Sequence, residues 1–120
     1  MSGLIDREAL LERVARDADL LATMVDLFVA DAPVRLDAIR AGLQQSDAHV
    51  IEQAAHSLKG SLATMGADAV AAEAFRLEEL VHAGSLEGAA DLLATLERQV
   101  EAVTAALQDL LAALTPDDAA

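Results

Sequence analysis

The chain has 120 residues, 54% of them hydrophobic, with no cysteine and a formal net charge of −13 from 21 acidic and 8 basic side chains. This length suits one domain with one core. The absence of cysteine removes disulfides and thiolate metal sites, and the acidity opposes a phosphate backbone, so nucleic acid is not an expected partner. Ala, Leu and Val dominate, Trp and Tyr are absent, and Phe is confined to Phe28 and Phe75, a mix that favours helix over strand.

No apolar run approaches the roughly 20 residues that span a bilayer. The start, MSGLIDREALLERVARD, is charged from Asp6 onward, has no signal-peptide core and lacks the glycine directly after Met that myristoylation needs. The expectation is a cytoplasmic protein with no membrane attachment.

Five helical segments follow from periodicity and punctuation. A short one runs from about Asp6 to Arg16, with Leu10, Leu11 and Val14 on one side. Asp17 or Asp19 caps the next, where Leu20, Leu21, Met24, Leu27 and Phe28 recur at helical spacing. Pro33 predicts a kink or restart there, since proline lacks an N–H and disfavours helix in the preceding residue; the helix resumes through Leu36, Ile39 and Leu43 to about Gln44. Ser46 and Asp47 cap a third helix, which runs to Met65 and stops at Gly66. Asp68 caps a fourth, Ala69 to Ala83, ended by Gly84. Ser85 caps the longest, Leu86 to about Leu114, which Thr115-Pro116 stops.

Short connections imply antiparallel neighbours. The predicted fold is an all-α, up-down antiparallel four-helix bundle with a short additional N-terminal helix. It forms a single domain over residues 1–120, of which 115–120 are a frayed tail.

The third helix carries the chemistry. At about 100° per residue, Ala55, Leu58, Leu62 and Met65 cluster within roughly 40° of Ile51 and form the buried stripe. His56 falls at roughly 140°, beside His49, Glu52, Gly60 and Ala63. That position argues against a core histidine and leaves an ordinary exposed histidine as the competing reading. Lys59 lies one turn on, within reach of the space above the ring. Gly60, one turn beneath His56, costs about 1 kcal/mol relative to Ala inside a helix. In a chain that uses Ala freely, this choice suggests that a β-carbon is unwelcome there. A neutral imidazole nitrogen can attack a phosphoryl group and leave again on the return step, and a nearby lysine stabilises the added charge.

Ala55-His56-Ser57-Leu58-Lys59-Gly60, then SLATMGA, then Leu77-Glu78 on the next helix, resembles the core pattern of the histidine-containing phosphotransfer (HPt) domains of multistep phosphorelays. LLATMVDLFVADAPVRLDAIRAGLQQSD resembles the first long helix of that family, so the likeness covers nearly the whole chain. It implies a phosphohistidine carrier for two-component signalling that relays a phosphoryl group between receiver aspartates and has no kinase or phosphatase activity of its own. His56 would be the phosphoryl acceptor and donor, Lys59 would hold the phosphoryl charge, and Gly60 would leave room for the docking receiver. Glu78 would hydrogen-bond the ring nitrogen that does not carry the phosphoryl group, a solvated glutamate being the competing reading.

The resemblance further implies no cofactor in this chain, with Mg²⁺ in the partner's own acidic pocket. Expected partners are receiver domains of response regulators or a hybrid histidine kinase, met by a monomer. Docking would use an apolar patch, for which Ala63, Met24, Leu27 and Leu20 are candidates, although burial in the core is the favoured assignment for them. A free-standing carrier is favoured over a piece of a hybrid kinase.

Two other classes compete. Glu79-x-x-His82 has the spacing of di-iron carboxylate bundles, but those need two such copies and two further glutamates; His49 and His56 lie about 10 Å apart along the helix, too far to share an ion. No metal is expected, and His49 and His82 are read as surface residues. A non-catalytic helical adaptor that binds and blocks a receiver or histidine kinase would use the same docking face.

Overall fold

A computed structural model describes residues 3–114. Five helices and no strand occur among them: α1 Arg7–Arg13, α2 Ala18–Gln44, α3 Ala48–Thr64, α4 Asp68–His82 and α5 Ala89–Leu114. Aspartates open the first three. Asp6 accepts from the backbone N–H of Ala9, Asp17 from Asp19 and Leu20, and Asp47 from Val50, each meeting helical donors that have no partner within the helix.

The boundaries depart from the sequence expectation in four places. α1 ends at Arg13, because Ala15 and Arg16 take left-handed φ values of 54° and 57°. α2 runs without a break through Pro33. Proline removes a single donor, and Pro33 lies on an exposed stretch of the helix. Asp68 does not cap α4 but lies inside its first turn; Ala67 is the capping residue, without a side-chain bond. The Asp68 charge still suits the positive end of the helix dipole. α5 begins at Ala89, since Ser85 spends its hydroxyl on the Glu87 N–H and Gly88 adopts a φ of 87°. The expected stop at Thr115-Pro116 and the expected frayed tail lie outside the described residues.

α3 packs on α2 and α4, and α5 packs on the same two helices, so the four long helices close a ring around one core. Leu21, Ile39, Ile51, Leu58, Leu62, Leu77, Leu96 and Leu107 fill it, and no polar or charged side chain is buried among the described residues. At the α2–α3 crossing the backbones approach closely at Gly42, where a β-carbon would stand 2.7 Å from Ile51 Cγ1. α1 covers the other end of α3: the Asp6 N–H donates to the Gly66 carbonyl at 2.8 Å, and the Arg13 guanidinium donates to the carbonyls of Ala63 and Thr64. α2 is about 40 Å long against about 25 Å for α3, so its first turns extend past α3 towards α1. No helix among the described residues is long and apolar enough to cross a membrane.

Candidate functional site

α3 is amphipathic in the register read from its sequence. Ile51, Ala55, Leu58, Leu62 and Met65 are buried, and Ala54 joins them. His56 therefore falls on the outer face, where its side chain is 65% exposed. Its ring is nonetheless held. Nδ1 lies 3.0 Å from Glu78 Oε2 of α4, a carboxylate only 16% exposed.

Lys59, one turn along, places Nζ 3.0 Å from the other oxygen, Glu78 Oε1. One carboxylate thus serves both side chains. Burial pushes the Glu78 carboxyl upward, but the hydrogen bonds and charges of Lys59 and His56 outweigh it and hold the group below its ordinary value. An ionised carboxylate only accepts hydrogen bonds, so Nδ1 of His56 is the donor, and whenever the ring is neutral its lone pair lies on Nε2. In the neutral form of the ring the arrangement presents an exposed nucleophilic nitrogen beside an ammonium.

Gly60 completes the constellation. A β-carbon there would have nothing within 4 Å, so internal helix packing does not demand the glycine and the space above it is open. A groove between α2 and α3 runs past it, lined by Met24, Leu27, Phe28, Asp31 and Arg35 from α2 and by His56, Ser57, Gly60, Ser61 and Thr64 from α3. The favoured core assignment is overturned for Leu20, Leu27 and Ala63, and holds in part for Met24, which packs against the core. Leu27 is 66% and Leu20 44% exposed, Ala63 is exposed, and Met24 is half-buried. Leu20 and Leu27 lie on the outer side of α2 because the stripe Leu21, Val25 and Phe28 already occupies its inward face.

Two side chains passed over in the sequence also belong to this region. Phe75 places its ring centroid 4.7 Å from Lys59 Nζ. Its signal was the Phe75-x-x-Glu78 spacing, which puts ring and carboxylate on one face of α4. Arg35 lines both grooves that flank His56 and pairs with Asp31 at 3.2 Å. Nothing in α2 alone marks it, since its nearness to His56 comes from helix packing.

A second imidazole–carboxylate pair lies on the same ridge. His82 Nδ1 is 2.9 Å from Glu52 Oε2. No lysine stands beside it, because Lys59 is the only one in the chain. Among the described residues no group of three or more His, Cys, Asp or Glu side chains is gathered as a metal site.

The family model for the Hpt domain matches residues 23–117. Among solved structures, the chain is similar to histidine-containing phosphotransfer protein B (HptB) from Pseudomonas aeruginosa PAO1, at 30% identity and a TM-score of 0.86, over 92% of this chain and 96% of that one. No curated protein matches it.

Proposed function

The chain belongs to the histidine-containing phosphotransfer family, and from that premise we propose that it relays phosphoryl groups through His56. The observation that carries the reading is a solvent-exposed imidazole whose Nδ1 is fixed 3.0 Å from an ionised carboxylate. The Nε2 lone pair attacks the phosphorus of a receiver aspartyl phosphate. The N–P bond forms, the P–O bond to the aspartate breaks, and the aspartate departs as a carboxylate. No proton has to leave the ring: the Nδ1–H stays, the phosphorylated imidazole becomes cationic, and Glu78 stabilises that charge while orienting the ring. On the return step the N–P bond breaks and neutral imidazole is the leaving group, with the phosphoryl group passing to another aspartate.

Lys59 supplies positive charge to the phosphoryl oxygens. Gly60 leaves room for the visiting domain, and the exposed Leu20, Leu27 and Ala63, with the half-buried Met24, give it an apolar seat. Mg²⁺ is assigned to the acidic pocket of the receiver; this chain needs no cofactor and, alone, carries the group without catalysing its hydrolysis. The partners are receiver domains of response regulators or of a hybrid kinase, bound by a monomer.

Incubation with a phosphorylated receiver tests the reading. The expected result is acid-labile, base-stable label that His56→Gln abolishes. Receiver binding without label would instead favour the blocking adaptor.

A further inference from the structure

Lys59 is seated rather than loose. Its Nζ stands 4.7 Å from the Phe75 ring centroid and 3.0 Å from Glu78 Oε1. An aromatic face and an anion attract the ammonium from two directions. Phe75 is 41% exposed, a large apolar side chain that the core does not need. Glu78 Oε1 is closed to solvent and has no other group to satisfy it, so Lys59 is its compensating charge. A lysine that swung out after an incoming phosphoryl group would leave this oxygen buried and uncompensated, which is costly. The arrangement therefore favours a cation that works without leaving its carboxylate.

We propose that Phe75 is a positioning residue: with Glu78 it builds a fixed seat from which Lys59 meets the phosphoryl group on His56 while still paired to the carboxylate. This rests on His56 being the carrier. Because Glu78 also holds the His56 ring, the same carboxylate sets the ammonium and the reacting nitrogen relative to each other.

The single lysine makes the seat observable. Protein labelled at the lysine ε-carbon gives one lysine signal, and the ring current of Phe75 shifts its ε-protons away from the free-lysine position. Phe75→Leu abolishes that shift and Phe75→Trp retains one. After phosphorylation by a receiver, verified by ³¹P resonance, the shift in the unsubstituted protein persists. Its collapse to the free value would show a swinging lysine and overturn the proposal. In transfer kinetics, Phe75→Leu lowers the maximal rate about two- to fivefold, with half-saturating receiver concentration and melting temperature unchanged, and Phe75→Tyr restores it. A Phe75→Leu protein that transfers at the full rate refutes the seat. Failure of the unsubstituted protein to take any label refutes the carrier reading instead, so the two failures are distinct.

Discussion

His56 and Glu78 meet across the α3–α4 packing surface through a 3.0 Å contact between Nδ1 and Oε2. Glu52 and His82 repeat the contact at 2.9 Å, Glu52 one turn before His56 on α3 and His82 one turn after Glu78 on α4, with the donor and acceptor helices exchanged. The two rungs bridge the antiparallel α3 and α4 on the exposed side of their packing surface. The shared contact means that an imidazole bonded to a carboxylate does not by itself single out one histidine. What distinguishes His56 is the ammonium and the bare backbone of Gly60 beside it.

Glu78→Gln keeps an acceptor for the Nδ1–H but removes the charge. Charged hydrogen bonds exceed neutral ones by about 1 kcal/mol, so transfer from a receiver should slow by about fivefold, and Glu78→Ala should slow it further. The same carboxylate gives a pH-dependent stability. Its folded pKa lies below the unfolded value, so its contribution is fully present above the unfolded value and declines as pH falls through the folded one. Below both values it is gone. The melting-temperature gap between the unsubstituted protein and Glu78→Gln should therefore close on acidification; a gap that is constant with pH would show that Glu78 acts through packing alone.

His82→Gln should leave label uptake unchanged, whereas His56→Gln removes it. His82 is 76% exposed and shares the Nδ1 geometry, but its neighbours Glu52 and Glu79 are acidic and no lysine faces it. Mapping the phosphorylated residue by alkaline digestion and mass spectrometry checks this, and label on His82 would contradict it.

Leu27→Asp should weaken receiver docking without unfolding the chain. At 66% exposure the side chain contributes little to the core, and surface changes of this kind usually shift stability by less than about 0.5 kcal/mol. A charge placed in an apolar seat is desolvated on binding. Titration calorimetry against a cognate receiver should show at least a tenfold loss of affinity, and unaltered binding would move the docking face away from α2.

How far the sequence revealed this site depended on the kind of information each feature needs. The α3 stripe was legible because one helix wheel contains it, and so was the outward placing of His56. Leu20, Met24 and Leu27 were not, because α2 carries two neighbouring apolar rows and periodicity alone does not say which row meets the bundle. Glu78 could be assigned to His56 only through family resemblance, since its reach across to α3 is a matter of register between helices. Phe75 escaped notice for the same reason: its partner is on another helix. Asp68 and Ser85 had the chemistry of capping residues, but the chain turns at Gly66 before Asp68 and at Gly88 after Ser85, at φ values of 77° and 87°.

Gly60→Ala separates folding from docking. A methyl group there meets no atom within 4 Å in the isolated chain, and alanine stabilises a helix interior by about 0.5–1 kcal/mol relative to glycine. The variant should melt at a higher temperature while its half-saturating receiver concentration rises, because the methyl stands where the partner approaches His56. Since the ring and Lys59 are untouched, small phosphoryl donors such as phosphoramidate should still label it at close to the normal rate. A variant more stable and equally good with its receiver would show that the glycine serves no clearance role.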